Sequence, residues 1–521
     1  MRVFLSGPMG SGKSSLCEAV AARLGLPAYD LDAWIERRSG MPVTQLFEQQ
    51  GEDAFRAEEA KALEALLDAH SDCVVALGGG TVTQPALRQR MLHEGLLITL
   101  MAAPEVLAKR VGRGQGRPLL AGQDPQVRLT ALLEERRAVY AECHALLRTD
   151  QGGMGDAVER VVRVVKAQPL LVPLGERSYQ IEVAAGVRHQ LLDYLAEASS
   201  VVVVTDDTVA PLWGAELAQA LADRGLRVTT VALPAGEANK NIVSVQTIWN
   251  HALSFGVDRK SWIVGVGGGV IGDMAGFAAA TLLRGISVGH VPTTLLSMVD
   301  SAVGGKTGFD TEHGKNLVGA FHQPGFVLAD IETLSTLPDG ELVAGLSEVV
   351  KSAWIDGEAS VAMLEQDAQA IVRRDVAALE RAIRMSCQLK ARIVTADERE
   401  SGVRALLNLG HTLGHAIEAA AGFGSIRHGE AVALGMVAAC RIARGLSMQT
   451  ADQGQRLIQL LEALGLPIDV DPWITQKTLS YIASDKKRVS DSIKYIVPGG
   501  PGEVRVVPMA LADIMQRLSA V

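Results

Sequence analysis

The chain has 521 residues, 48% of them hydrophobic and 21% charged, with a formal net charge of −9. That length exceeds one ordinary domain and predicts about three compact units, and the negative balance argues against a general nucleic-acid or membrane-surface binder. Five scattered cysteines (Cys17, Cys73, Cys143, Cys387, Cys440) form no C-x-x-C pair or disulfide framework, no apolar run reaches membrane-spanning length and the opening residues show no leader pattern, so a reducing cytoplasmic setting is expected.

Residues 2–6 read as a short buried strand, followed by a glycine loop and a helix from about Lys13 to Leu24. Val74–Leu77 and Leu96–Leu100 are further β-prone runs between helical patterns, and Asp156–Lys166 carries a helical apolar stripe. Such alternation predicts a parallel sheet flanked by helices, closing a first domain at 1–167. After the Pro-rich break at 168–175 the pattern restarts with Tyr179–Val183, Val201–Val204, Val228–Leu233 and Ser261–Val266, a second α/β unit over 168–330. Long helical patterns with few strand candidates then predict a mostly helical unit over 331–521.

Strand, Gly7-Pro-Met-Gly10-Ser-Gly12-Lys13-Ser14, then helix is the context of a phosphate-binding loop. Gly10, Gly12 and Ser15 would help turn backbone N–H groups toward phosphates, Lys13 would reach the β- and γ-phosphates, and Ser14 would hold Mg²⁺ of ATP. Asp30 and Asp32 follow a strand, where such a pair serves as a cap or as an acceptor-side carboxylate. Together with Phe47…Gly51-Glu52-Asp-Ala-Phe55-Arg56…Glu59, Gly78-Gly79-Gly80, Arg117-Pro118-Leu119-Leu120 and Arg136…Tyr140, the first 165 residues or so closely resemble shikimate kinase. The resemblance implies that Asp32, Arg56, Gly78, Gly79, Gly80 and Arg136 bind shikimate, that Arg117 in a lid faces the phosphates, and that Arg110 lies near adenine.

A second glycine loop, Gly267-Gly268-Gly269-Val-Ile-Gly272, follows a strand, but no acid closes the next strand as an ordinary dinucleotide fingerprint requires. Asp206 could serve a ribose instead, or act as a turn residue. His411 and His415 at i, i+4 share a helical face, and His428 and Glu348 could complete a catalytic Zn²⁺ shell with open positions. Lysines and arginines crowd the same region, Lys306, Lys315, Lys351, Lys390 and Arg404 among them, and unpaired buried charge is costly unless an anion meets it. The runs Gly267–Thr281, Arg284-Gly-Ile, Val291-Pro-Thr293-Thr294, Val-Asp300-Ser-Ala-Val-Gly-Gly-Lys306, Gly-Lys315-Asn316 and Leu406-Leu-Asn408-Leu-Gly-His411-Thr-Leu-Gly-His415-Ala-Ile-Glu418 resemble 3-dehydroquinate synthase over about residues 170–515.

That resemblance implies an NAD-binding α/β half, a mostly helical metal-binding half and a homodimer. Glu348, His411 and His428 would hold Zn²⁺ or Co²⁺. Asp273, Arg284, Asp300, Lys306, Asn316, Lys351, Lys390, Arg404, Asn408, His415 and Lys486 would line the substrate cavity. Asp206, Glu237, Lys240, Gly267, Gly268, Gly269, Thr293 and Thr294 would hold NAD⁺, with Asp273, Lys306 and Lys315 beside it. The implied protein is a bifunctional shikimate-pathway enzyme acting on small molecules. Rival expectations are a net alcohol dehydrogenase in the second part, a purely regulatory nucleotide module in the first, and a related sugar-phosphate cyclase making aminocyclitol precursors.

Overall fold

A computed structural model describes residues 1–112, 124–422, 425–483, 488–489 and 492–519. Its contacts divide the chain into two compact units, Met1–Gln180 and Ile181–Val521.

The first unit is built on a parallel sheet with strand order Ala28–Asp30, Cys73–Ala76, Arg2–Ser6, Leu96–Met101, Ala145–Arg148. Every residue of Cys73–Ala76 and all but the first of Arg2–Ser6 are buried, as expected for strands covered on both faces. Helices Lys13–Leu24 and Met154–Ala167 cover one face through Leu16, Val20, Val158, Val161 and Val165. Helices Leu31–Ser39 and Val43–Ala69 cover the other through Ile35, Leu63 and Leu66. The Arg2–Ser6 strand lies between Cys73–Ala76 and Leu96–Met101, so the loop leaving its carboxyl end sits at a switch in strand order, where α/β sheets bind ligands.

The second unit carries a sheet in which Tyr179–Ala184, Phe326–Asp330, Ser287–Pro292, Trp262–Gly267, Val201–Asp206 and Val228–Leu233 succeed one another. The last four pair in parallel. An antiparallel hairpin, Lys306–Thr311 with Gly314–Phe321, leaves this layer. Helices Asp339–Asp356, Val376–Ala396, His411–Ala421 and His428–Gly445 follow, and the chain ends in an antiparallel sheet containing Ser492–Pro498 and Val504–Ala510 and a final helix, Leu511–Ser519.

The strand and helix readings up to residue 267 match the observed elements to within a few residues. The hairpin lies inside the α/β part 168–330 but is not among its expected strands, and the terminal sheet adds strands to the part 331–521 expected to be mostly helical. In the hairpin the cause is glycine: Gly308 and Gly319 face each other across the ladder, and a Cβ on Gly319 would lie 2.2 Å from the Thr307 carbonyl oxygen. Such a strand shows no period-2 apolar pattern, only a glycine-rich run.

Glycine also sets the approach of the helices. Helix His428–Gly445 is buried almost all round, and a Cβ on Gly429 would stand 1.8 Å from the Ala344 carbonyl oxygen, while one on Gly435 would stand 1.9 Å from that of Gly410. Both neighbours are backbone, which cannot rotate away. The short separations bring the Glu348 turn and the His411 turn against the start of the His428 helix. Gly429→Ala is therefore expected to destabilise the second unit by about 1–3 kcal/mol through overpacking. Gly155→Ala, in a helix with no atom within 4 Å of the added carbon, should be neutral or stabilising by about 0.5 kcal/mol; denaturant titration of both variants checks the contrast.

Candidate active sites

In the first unit the phosphate loop is shaped by left-handed glycines, Gly10 at φ 80° and Gly12 at φ 95°, and a Cβ on Gly10 would sit 2.8 Å from the Val111 side chain. The loop ends at the N-terminus of helix Lys13–Leu24, which has no side-chain cap, so its first amides face outward as an anion site requires. Lys13 Nζ donates to the carbonyls of Gly7 and Pro8, each at 2.9 Å, holding the ammonium over the loop.

A cavity of about 740 Å³ runs from this loop to the acceptor side, and Gly10, Gly12, Lys13, Ser14, Ser15, Asp32, Arg56, Gly78, Gly79, Gly80 and Arg136 all line it. Asp30 caps helix Leu31–Ser39 by accepting from the Ala33 amide at 3.2 Å, and both aspartates line the cavity. Burial, with Asp30 and Glu59 adding like charge, pushes the Asp32 carboxyl up to about 6. Arg56 donates to Glu59 at 2.7 Å, and Glu59 also accepts from Thr81 at 2.6 Å and Gln84 at 3.0 Å. A Cβ on Gly80 would lie 2.2 Å from Arg56 Nη2, so the glycine lets the guanidinium lie flat on the backbone. Arg136 and Tyr140 both donate to the Gly79 carbonyl, at 3.0 and 2.7 Å. Arg110 also lines the cavity and donates to the Thr149 carbonyl at 2.7 Å. Arg117 lies outside the described residues.

The second unit holds a run of paired charges. Glu348, 1% exposed on helix Asp339–Asp356, is flanked by Lys351 one turn on, itself 2% exposed, in an ion pair with Oε2. Neither Glu348 oxygen accepts a well-formed hydrogen bond from a described residue. His411 opens helix His411–Ala421, and its Nδ1 lies 3.1 Å from the Leu409 carbonyl. A carbonyl only accepts, so Nδ1 carries the proton and Nε2 presents its lone pair 3.6 Å from Glu348 Oε1. His428 opens the next long helix. Its Nδ1 faces Glu418 Oε2 at 3.0 Å, turning Nε2 to within 3.9 Å of the same Glu348 oxygen. Glu348 Oε1 and the Nε2 atoms of His411 and His428 thus converge on one another, a set of ligand atoms that a cation between them would bind. Ligand atoms about 3.3 Å apart are what a tetrahedral Zn²⁺ with bonds near 2.0–2.1 Å would draw together, so the residues fit a divalent metal. His415 completes the group: nitrogen atoms of His411, His415 and His428 lie within 4.8 Å of one another.

From Glu418 the run continues to Lys315 at 3.4 Å and on to Glu237 at 3.6 Å. Lys240 donates to Asp273 and to Asn316, each at 2.6 Å. Burial pushes the Asp273 carboxyl up to about 6 despite Lys240. Burial likewise opposes ionisation of Asp300, but Lys390, paired with it, and Lys351 outweigh that and hold its carboxyl far below the usual range. Lys306 pairs with Glu400, which also accepts from Asn408 at 2.9 Å. Arg404 is buried on the carbonyls of Glu398 and Gly304.

On the nucleotide side, Gly267 ends a strand and Gly268 precedes helix Gly269–Thr281, again without a side-chain cap. A Cβ on Gly268 would approach Thr294 at 3.2 Å, and one on Gly269 would meet Ser301 at 2.8 Å, so both glycines are packed closely against these side chains. The Thr293 amide donates to the Gly267 carbonyl at 3.0 Å, and the Thr293 hydroxyl is buried without a partner among the described residues. Asp206 uses Oδ1 to accept from the Thr208 and Val209 amides at 3.0 and 2.8 Å, the turn role open to it. Arg284 is exposed, in left-handed backbone at φ 67°, and is not joined to these paired charges by any hydrogen bond or ion pair with a described residue. Lys486 lies outside the described residues.

Glu59, Glu418 and Glu400 had been given no role from sequence. Two of them were signalled by spacing: Glu59 is three residues after Arg56, and Glu418 is three and seven after His415 and His411, on one helical face. Glu400, at φ 59° in a loop, had no such signal.

Family models for shikimate kinase match residues 9–166, for the 3-dehydroquinate synthase N-terminal domain residues 229–344, and for the 3-dehydroquinate synthase C-terminal domain residues 345–488. A 3-dehydroquinate synthase of Symbiobacterium thermophilum is 46% identical over 351 residues, covering 66% of this chain and 97% of that protein. Similar solved structures include a 2-deoxy-scyllo-inosose synthase complexed with carbaglucose-6-phosphate, NAD⁺ and Co²⁺, 28% identical with a TM-score of 0.62 over 67% of this chain and 99% of that one. A 2-epi-5-epi-valiolone synthase from Streptomyces hygroscopicus subsp. jinggangensis with NAD⁺ and Zn²⁺ bound is also 28% identical, with a TM-score of 0.61 over 66% of this chain and 97% of that one. The chain belongs to the 3-dehydroquinate synthase family and carries a shikimate kinase domain ahead of it, a bifunctional enzyme of the shikimate pathway.

Proposed function

We propose that the first site phosphorylates shikimate from Mg-ATP and that the second converts 3-deoxy-D-arabino-heptulosonate 7-phosphate to 3-dehydroquinate and phosphate, using NAD⁺ and Zn²⁺ or Co²⁺. The observation that carries the second reading is the convergence of Glu348 Oε1 with the Nε2 atoms of His411 and His428 inside a ring of lysines.

In the kinase, the loop amides and Lys13 would hold the β- and γ-phosphates, with Ser14 on the magnesium that screens their charge. Arg56, fixed by Glu59, and Arg136 would grip the shikimate carboxylate as planar donors. Asp32 would accept the proton of the attacking hydroxyl. A carboxyl near 6 is a better base than an ordinary one and is still mostly ionised at neutral pH.

In the synthase, Glu348, His411 and His428 would hold the metal. The Leu409 carbonyl and Glu418 would fix the tautomers of the two imidazoles. Bound NAD⁺ and the divalent cation supply a reversible hydride acceptor and a Lewis acid for a substrate hydroxyl. Lys306, Asn316, Lys351 and His415 would receive the phosphate, and Lys390 and Arg404 the carboxylate end, with Asp300, Asn408, Arg284 and Lys486 completing the substrate contacts. Asp206, Glu237, Lys240, Lys315, Asp273, Thr293, Thr294 and the Gly267–Gly269 loop would hold the nucleotide. The cations are paired internally with Glu348, Asp300 and Glu400, so an anionic substrate exchanges partners rather than meeting bare charge. The parts 168–330 and 331–521 would then be the nucleotide and the metal halves of the synthase.

The family resemblance supports a homodimer built through the synthase, to be checked as twice the 55.2 kDa chain mass by sedimentation. Five buried free cysteines support a cytoplasmic setting. No described helix is long and apolar enough to cross a membrane.

Heptulosonate phosphate supplied with substoichiometric NAD⁺ and Co²⁺ should release phosphate for many turnovers without NADH accumulating; NADH equal to substrate would mark a dehydrogenase instead. Stripping the transition metal and assaying with Mg²⁺ alone should abolish phosphate release and leave shikimate-dependent ADP formation intact. For the kinase, kcat/KM should rise with pH through about 6 as Asp32 deprotonates and then level off. Asp32→Asn should lower it by about 100-fold or more and erase that step, and an unchanged profile in the variant would assign the base elsewhere.

A further inference from the structure

Glu418 faces two functional regions at once. On helix His411–Ala421 it is 6% exposed and follows His411 and His415 on one face. Its Oε2 accepts from His428 Nδ1 at 3.0 Å, and its Oε1 lies 3.4 Å from Lys315 Nζ. The same ammonium is 3.6 Å from Glu237 Oε1. Lys315 belongs to the hairpin strand Gly314–Phe321, and its neighbour Asn316 accepts from Lys240, which also holds Asp273. One carboxylate therefore serves a histidine of the metal cluster and a lysine of the nucleotide side.

We propose that Glu418 is a positioning residue that couples nucleotide binding to metal binding, an inference resting on the reading that His428 holds the cation and that Lys315 faces NAD⁺. A carboxylate accepting from the far nitrogen of an imidazole raises the basicity of the ligating nitrogen. Lys315 on the other oxygen draws that charge away. The pyrophosphate of the nucleotide carries more charge than a shared carboxylate and is the stronger partner for the ammonium. When Lys315 turns to it, the full charge of Glu418 falls to His428 and the metal is held more tightly. By linkage, the metal then tightens the nucleotide by the same factor.

Co²⁺ affinity, measured by competition with a chromophoric chelator with and without saturating NAD⁺, tests this on the full chain. Wild type should bind Co²⁺ about fivefold more tightly with NAD⁺, the lower end of ordinary coupling. Glu418→Gln should weaken Co²⁺ by about 10- to 100-fold and remove the NAD⁺ effect. Lys315→Met should, without NAD⁺, already show the affinity of the NAD⁺-saturated wild type and gain nothing further from the nucleotide, a result that loss of packing does not produce. Unchanged affinity and coupling in Glu418→Gln, while His428→Ala loses the metal, overturns this inference alone. Unchanged affinity in His428→Ala overturns the metal reading and this inference with it.

Discussion

A carboxylate buried to 1% exposure, with two imidazole nitrogens facing the same oxygen, is the constraint around which the second unit is organised. Placing such a charge in a protein interior costs several kcal/mol unless partners compensate it, and Lys351 is the partner the chain itself supplies. The rest of the local architecture keeps the three groups together. Gly429 and Gly435 let helix His428–Gly445 lie against the backbone of its neighbours, and the Leu409 carbonyl and Glu418 fix which nitrogen of each histidine faces inward. The helices pack at distances no side chain would allow, and that packing brings the three groups together.

The two units handle anionic small molecules by the same physical means. In the first, helix-terminal amides and left-handed glycines shape the phosphate loop, and Arg56 is held on Glu59 beside it. In the second, most of the cations rest on carboxylates: Lys306 on Glu400, Lys351 on Glu348, Lys390 on Asp300, Lys240 on Asp273. Arg404 rests on two backbone carbonyls instead. Each positive charge is preorganised without being left bare, so less desolvation remains when the substrate arrives.

How much of this was legible in the sequence depended on how local the signal is. The phosphate loop and its helix are contiguous, and the reading of Lys13–Leu24 coincides with the observed element. Asp30 and Asp32 looked equivalent; the helix start at Leu31 makes the first a cap as well, while both line the cavity. The hairpin at 306–321 escaped because paired glycines erase strand periodicity. Glu59 and Glu418 were within reach of i+3 spacing from residues already singled out, whereas Glu400 reaches Lys306 and Asn408 from a loop that no periodicity marks. Arg284 shows the opposite case: its motif is plain in the sequence, yet within this chain it stands exposed and outside the run of paired charges.

X-ray absorption at the zinc edge of the metal-loaded protein tests the central claim most directly. One Zn²⁺ per synthase site, with two imidazole nitrogens and carboxylate oxygen at about 2.0–2.2 Å and no sulfur, is the predicted coordination. A site that takes up no zinc, or whose scattering shows thiolate or no imidazole, would contradict it.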